Sequence, residues 1–417
     1  MEKYLGRDLE AEICSFAGRR EMIFIRGARQ TGKTTLMKHI MAGIDGEKRF
    51  VNLDLPDERR ALEQNPKDFV KRYETGGKLS LFLDEVQRVD GAGEKLKIIY
   101  DEFEDLKVFA SGSSSLELKS KVLPPLVGRA LMFELYTFGF GEFLEAKDKG
   151  FAKLFREKNA SVKRFIEGAG EPENPSFEKE FLDYWRQYVI FGGYPEIIKS
   201  NSDRERETLL KNIFDLYLEK DVVNFFQIRE TSGFENFLKN LSFNISSLLN
   251  LSSAASDARI KSKRADEFIE ILKNTYVVSP LGPLHGNLTT ELKKAHKIYF
   301  LDMGMRNAVL NNFTAFENRP DRGELAENFV FRELKTNFGH KMNFWRTAGK
   351  AEVDFVLTKG DDVIPIEVKL SGTTLGKSFY SFINAYEPKR AIVATLDKFE
   401  KRLVNGTTIY FVPVFYF

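Results

Sequence analysis

Residues Gly27-Ala28-Arg29-Gln30-Thr31-Gly32-Lys33-Thr34 follow directly on an apolar run, Met22-Ile23-Phe24-Ile25, and no other stretch restricts the fold so tightly. The pattern predicts a buried parallel strand ending near Ile25, a glycine-rich turn, and a helix opening at Lys33-Thr34-Thr35-Leu36. In such a turn successive backbone N–H groups converge with the helix N-terminus on one concave anion site, suited to the α- and β-phosphates of a nucleotide. Gly27, Ala28, Arg29, Gln30, Thr31, Gly32, Lys33, Thr34 and Thr35 are therefore the candidate cradle for ATP. Lys33 is expected to reach the β/γ oxygens, and the Thr34 hydroxyl to ligate Mg²⁺.

A second apolar run, Leu79-Ser80-Leu81-Phe82-Leu83, ends in Asp84-Glu85. It reads as another parallel strand with its carboxylates at the C-terminal tip, where open α/β sheets place ligands. Asp84 is expected to hold Mg²⁺, and Glu85 to orient or deprotonate the attacking water. A third strand, Lys107-Val108-Phe109-Ala110, runs into Ser111-Gly112-Ser113-Ser114-Ser115. Its hydroxyls, Ser113 in particular, either sense the γ-phosphate or form a loop of small turn residues. Arg129, before the apolar run Ala130-Leu131-Met132-Phe133, is a candidate for stabilising transition-state charge in its own chain or in a neighbour's site. The alternative is a plain surface arginine.

The chain of 417 residues has room for two to four domains, each with its own core. A net charge of +2 argues against coating nucleic acid by charge alone, while leaving room for a local basic face. The single cysteine, Cys14, permits no internal disulfide framework, and four scattered histidines (His39, His285, His296, His340) offer no zinc cluster. No apolar run approaches a membrane span and the N-terminus lacks a signal-peptide core, so a cytoplasmic protein without membrane contact is expected.

The alternation of apolar runs with amphipathic stretches predicts a multidomain α/β chain in four segments. These are a parallel-sheet ATPase core over 1–145, a helical linker region over 146–232, a winged-helix-like segment over 233–303 and an α/β segment over 304–417. Gly168-Ala169-Gly170-Glu171-Pro172 marks a flexible break, and Phe191-Gly192-Gly193-Tyr194-Pro195 a tight aromatic turn. In the third segment a short helical stretch is expected over Phe243, Ile245, Leu248 and Leu249, and a second from Leu251. A third helix is expected from Lys261 to Asn274, then two strands, Tyr276–Pro280 and Lys297–Phe300, joined by a wing. Arg259, Lys261, Lys263 and Arg264 crowd the start of the third helix, where a recognition helix meets DNA. Asp257, Asp266 and Glu267 dilute that charge, and the rival reading is a solvated face on a protein-docking module.

After Pro320 a helix carries Glu324 and Glu327. The runs Ala351–Leu357 and Ile364–Leu370 then read as a hairpin turned at Thr358-Lys359-Gly360-Asp361-Asp362. Period two puts Glu367 and Lys369 on one face, and pairing brings Asp354 to them. Two carboxylates and a lysine make a metal-dependent phosphodiesterase site: Asp354, Glu367 and Glu327 as metal ligands, Lys369 positioning water or stabilising phosphate charge. Glu324 is the rival of Glu327, and a plain cross-strand acid–lysine pair is the rival of the whole site.

Together these motifs resemble the prokaryotic AAA+ ATPases, related to the archaeal and STAND-type branch, that carry a C-terminal domain of unknown function with a PD-(D/E)XK nuclease-like end. The resemblance rests on Gly27–Thr34, Leu83-Asp84-Glu85-Val86-Gln87, Ser111-Gly112-Ser113-Ser114, Gly128-Arg129, Phe191–Pro195, Ile298–Gly304, Glu352-Val353-Asp354-Phe355 and Pro365–Lys369. It implies an AAA+ core, a winged-helix segment and a nuclease-like terminus, and no arginine stands at a clear sensor-2 position. The expected function is Mg²⁺-dependent ATP hydrolysis controlling a DNA-binding, nuclease-like C-terminal half, with homo-oligomers a further expectation. The alternative is a nucleotide-dependent switch or scaffold that docks protein partners and cuts nothing.

Overall fold

The computed structural model describes residues 4–74, 76–113, 122, 124–223, 226–228, 231–284 and 295–417. Ser114 and Ser115, His285 and the tip of the expected wing lie outside these residues. The chain divides into two compact units. One holds the residues up to Thr137 together with Glu270–Tyr276; the other holds Phe138–Ile269 and Val277–Phe417. This division differs from the four expected segments, because the helices and sheet beyond Phe138 pack into one unit.

The first unit is built on five parallel strands: β1 (Met22–Gly27), β2 (Glu47–Asn52), β3 (Leu79–Asp84), β4 (Leu106–Ser113) and β5 (Ala130–Glu134). Their order is β2-β3-β4-β1-β5. The three inner strands β3, β4 and β1 are largely buried because helices cover both faces of the sheet, whereas the edge strand β2 is charged and only partly buried. On one face Phe82 and Phe109 stack at 4.4 Å among Leu36, Met37 and Ile40 of the helix Lys33–Gly43. On the other, Leu81, Leu83 and Val108 pack with Leu96 and Ile99. The order matters for chemistry: β4 lies between the strand that feeds the glycine loop and the strand that ends in Asp84. Any link between the two must pass over the tip of β4.

The second unit begins with long helices, among them Lys149–Ile166 and Glu178–Phe191. Helices Thr231–Phe243 and Leu251–Asp257 follow, then Ser262–Asn274, whose residues from Glu270 on are counted with the first unit, and the antiparallel pair β6 (Val278–Leu281) and β7 (Lys297–Phe300). Phe268, Ile271 and Leu272 are buried, as their helical spacing implies. The expected helical stretch from Phe243 to Leu249 is corrected. The first helix ends at Phe243, which is 71% exposed, and the chain then extends along β7, with Leu249 N–H donating to His296 O. A bridge between Leu248 and Lys297 completes this edge, so ladder hydrogen bonds outweigh the helical spacing of the apolar residues.

The unit closes with six strands: β8 (Lys341–Arg346), β9 (Glu352–Lys359), β10 (Asp362–Lys369), β11 (Arg390–Thr395), β12 (Glu400–Val404) and β13 (Thr407–Pro413). Their order is β12-β13-β11-β10-β9-β8, with β8, β9 and β10 antiparallel and β10, β11 and β13 parallel. The hairpin at 359–362 forms where the sequence places it, with Asp362 paired to Lys359. Helix Lys377–Tyr386 seals one face with Phe379, Phe382 and Ile383 against Trp345, Val353 and Val393. Helix Arg322–Asn337 packs against β10 and β7.

Two glycine motifs of the sequence meet inside this unit. Asp302 caps the helix Met303–Leu310 through the Met305 N–H at 3.0 Å, and its other oxygen accepts the Gly193 N–H at 2.9 Å. A Cβ on Gly193 would sit 2.2 Å from Phe138 O, and one on Gly304 would sit 2.1 Å from Phe191 O. These glycines are there because backbone passes against backbone.

Candidate functional site: a phosphate loop and a buried acid–lysine cluster

The glycine loop sits at the C-terminal end of the central strand β1. Gln30 (φ 60°) and Gly32 (φ 92°) are left-handed, which turns the backbone N–H groups of the loop inward before the helix starts at Lys33. Gly27 is obligatory, since a Cβ there would lie 2.1 Å from Leu135 O. Thr31 is fully buried and closes the loop on Ala28 O at 3.0 Å. Arg7, which sequence reasoning did not single out, braces the loop by donating to Thr31 O (2.9 Å) and Tyr136 O (2.7 Å). Arg29 is half-buried, while Gln30 and Thr35 are exposed. The Lys33 ammonium is folded onto the loop's own carbonyls, Gly27 O at 3.0 Å and Ala28 O at 2.7 Å.

The acidic pair lies where the sequence predicts. Thr34 Oγ1 donates to Asp84 Oδ2 at 2.6 Å, across 50 residues of sequence. Ser111 of β4 donates to the other Asp84 oxygen and fixes the carboxylate plane. Glu85 follows in a left-handed conformation (φ 60°), an uncommon state for a non-glycine residue and one that tends to persist at functional sites. Ser113 pairs in register with Gly27, so it does stand beside the loop, and it accepts from Gln87 Nε2 at 2.8 Å. Gln87 also donates to Glu85, and its buried Oε1 has no partner among the described residues. Sequence reasoning gave Gln87 no role, and it weighed Ser111 only among the strand-tip hydroxyls as candidate phosphate sensors, not as the partner of Asp84. Both lay inside motifs it had noted, and only the strand order shows that β4 bridges Asp84 to the loop.

Arg129 is corrected for its own chain. Its carbonyl accepts the Met22 N–H at 2.8 Å, which places it at the start of β1, five residues and roughly 17 Å from the glycine loop. Its guanidinium forms a two-armed ion pair with Asp101, at 2.8 and 3.2 Å. It cannot reach a phosphate held by its own loop.

Residues 19–144 match the family described as an AAA domain. The N-terminal unit holds a P-loop ATPase domain that is similar to the AAA family over those residues. Residues 182–315 match a domain of unknown function (DUF8612), and residues 322–416 another (DUF4143). The chain is 26% identical over 396 residues to an uncharacterized protein of Methanocaldococcus jannaschii, covering 92% of this chain and 81% of that one. An uncharacterized protein of Haemophilus influenzae is 20% identical, with 93% and 92% covered. Among solved structures, a Walker-type ATPase of Pyrococcus abyssi is similar at a TM-score of 0.45 and 14% identity, covering 74% of this chain and 97% of that chain.

The second cluster lies wholly within the second unit. Asp354 on β9 and Glu367 on β10 follow the last ladder pair, Phe355 with Ile366, and Asp354 Oδ2 accepts the Val368 N–H at 2.9 Å. Of the two helix acids, Glu327 turns inward while Glu324 is exposed. Burial and then the Asp354 charge push Glu327 up to about 8. The same two causes push Glu367 up to about 8, and its Oε2 is buried with no partner among the described residues. Burial raises Asp354 also.

The lysine within reach of these acids is not only the expected one. Lys369 is half-buried and donates to Thr374 O at 2.8 Å, at the margin of the cluster. Lys297, the first residue of β7 and 2% exposed, enters instead. Its Nζ lies 2.6 Å from Glu352 Oε1, 3.1 Å from Glu327 Oε1 and 3.9 Å from Asp354 Oδ1. Tyr299 OH donates to the same Glu327 oxygen at 2.6 Å, and Arg346 holds the far oxygen of Glu352 at 2.6 Å. Among the described residues no group of three or more His, Cys, Asp or Glu side chains is disposed to hold a metal ion. The signal available in sequence was a lysine opening the otherwise apolar strand Lys297-Ile298-Tyr299-Phe300.

The four expected DNA contacts are all exposed: Arg259 just before the third helix, Lys261 at its cap, and Lys263 and Arg264 in its first turn. Arg264 is paired to Glu267 at 2.6 Å and lies over the Phe268 ring at 5.0 Å. Among the described residues no helix is long and apolar enough to cross a membrane.

Proposed function

We propose that this ATPase uses Mg²⁺-dependent ATP hydrolysis to control a C-terminal half that binds DNA and is nuclease-like. In the first unit, Thr34 and Asp84 supply the hydroxyl and carboxylate that suit a hard divalent ion beside bound phosphates. When bound, that ion would neutralise charge on the β- and γ-phosphates. Lys33 would leave the loop carbonyls for phosphate oxygens, Glu85 would take the proton of the attacking water, and Ser113 with Gln87 would hold that water in line. Arg129 would act only in a neighbouring subunit's site.

The observation that carries the nuclease-like reading is the meeting of Glu327, Asp354 and Glu367 on a helix and a hairpin of one mixed sheet. Buried carboxylates that raise one another are costly unless a cation is part of the design. Lys369, at the edge, would steady a scissile phosphate. The three helices and the β6–β7 pair support a winged-helix reading, with Arg259, Lys261, Lys263 and Arg264 facing DNA phosphates.

The test is Mg²⁺- and Mn²⁺-dependent cleavage of single- and double-stranded DNA, with and without ATP, for wild type, Asp354→Ala and Lys33→Ala. Cleavage lost in Asp354→Ala, with ATP dependence lost in Lys33→Ala, is the expected result. A specific observation favours a second reading, a nucleotide-dependent switch with a silent nuclease-like domain: Lys297 already stands among the acids. ATP turnover without any cleavage, and DNA affinity that stays negligible at low salt, would select it.

A further inference from the structure

Lys297 is among the most buried charges of the second unit, and it lies at 2.6, 3.1 and 3.9 Å from oxygens of Glu352, Glu327 and Asp354. At these distances the three carboxylates surround the side-chain nitrogen with opposite charge, which offsets the cost of burying it. The Phe344 ring, 5.7 Å from Nζ, adds a further favourable contact for a cation. Oxygens from a helix and a strand thus converge on one point, and a tethered positive charge fills it. A lysine with 2% exposure cannot stand out over a substrate phosphate, so its position is that of a bound ion. Independently, the buried Oε2 of Glu367 has no hydrogen-bond partner among the described residues, and Glu367 feels the charges of Asp354 and Glu327.

We propose that the Lys297 ammonium is the resident cation of this cluster and competes with a divalent ion for it. The inference rests on the proposed reading of Glu327, Asp354 and Glu367 as divalent-ion ligands, an arrangement these acids do not form as the cluster stands with Lys297 among them. With the ammonium in place, Glu327 and Glu352 turn toward Nζ, and an entering ion meets an extra positive charge at a few ångströms. The repulsion is large in a buried site. Metal entry therefore requires β7, which carries Lys297, to withdraw the side chain.

The experiment measures Mn²⁺ binding to the full chain without nucleotide, by calorimetry and by the paramagnetic signal of free Mn²⁺. An Asp84→Asn background silences the phosphate-loop site. The chain with Lys297 intact should bind Mn²⁺ at the cluster at least tenfold more weakly than Lys297→Met. The gained site should vanish in Lys297→Met/Asp354→Asn. Equal Mn²⁺ affinity with and without Lys297 would overturn the proposal. Removing a buried ammonium from among acids is itself destabilising, so thermal unfolding with and without Mn²⁺ is the second readout. Lys297→Met should regain melting temperature on adding Mn²⁺, whereas the chain with Lys297 should not move. A variant that stays unfolded with Mn²⁺ would make Lys297 a structural ion pair and overturn the idea. DNA cleavage is not read in either measurement, so an inert terminal domain would defeat the nuclease reading and leave this test standing.

Discussion

The Thr34 hydroxyl and the Asp84 carboxylate meet at 2.6 Å, with Ser111 holding the second Asp84 oxygen from the intervening strand. The two residues that would share a metal ion are thus already positioned against each other. Asp84→Asn keeps the shape and removes the charge. Its ATP turnover at saturating Mg²⁺ is expected to fall by roughly a hundredfold or more. Thr34→Ser should keep most turnover, because the hydroxyl remains, whereas Thr34→Val should not. Steady-state phosphate release across a Mg²⁺ titration separates the three.

Glu85 stands one residue further on, in a left-handed conformation that the surrounding tip holds. If it activates water, Glu85→Gln should bind ATP with unchanged affinity and lose about 10²-fold or more in kcat. Nucleotide affinity from a fluorescent analogue and single-turnover hydrolysis give the two numbers. Turnover within a few-fold of wild type would remove Glu85 from the chemistry.

Gly304→Ala tests the glycine contacts of the second unit. A methyl there would lie 2.1 Å from the Phe191 carbonyl oxygen, against backbone that has no rotamer to yield. A loss of about 3 kcal/mol is expected in denaturant unfolding of that unit. Asp302→Ala should cost less, about 1 kcal/mol for the cap and about 1 more for the orphaned Gly193 N–H.

Asp321 sits between two buried arginines, accepting from Arg306 at 2.5 Å and Arg319 at 2.8 Å. Burial alone would raise its carboxyl, but the two guanidiniums hold it down at about 2. A depressed folded-state value gives stability that is complete above the unfolded value near 4 and lost as pH falls toward 2. Acid unfolding followed by circular dichroism should show that loss in wild type and a flatter profile in Asp321→Asn. At neutral pH the variant should be less stable by about 3 kcal/mol, since two buried arginines lose their counter-charge.

Much of the first unit was legible from residue order. A glycine loop between an apolar run and a helix, then a run ending in two acids, can hardly be satisfied except by a parallel sheet with its loops at one edge. The hairpin around Gly360 and the inward face of Glu367 followed from period two in the same way. Arg129 was not legible. Arg129 precedes its apolar run, so once that run is a strand parallel to β1 it stands at the N-terminal end, away from the edge that carries the loop, and the parallel pairing is a tertiary fact. The stretch Phe243–Leu249 misled for a related reason. Its apolar spacing suits a helix, but a strand edge at Lys297 was waiting for its backbone hydrogen bonds.

By itself, then, the sequence determined the phosphate loop, its acidic partner strand and the candidate carboxylates, because these depend on local backbone geometry and on spacing within single elements. Tertiary structure alone decided three other matters: that Ser111 bonds Asp84 while Gln87 bonds Glu85 and Ser113, that Asp302 serves Gly193, and that Lys297 reaches Glu327, Glu352 and Asp354. Each joins residues distant in sequence, and in the last case the joining charge comes from the first residue of β7, just ahead of the Ile298–Gly304 motif. Such meetings depend on strand order and on which faces pack together. A buried ammonium tolerates that position only because the assembled fold brings carboxylates to it.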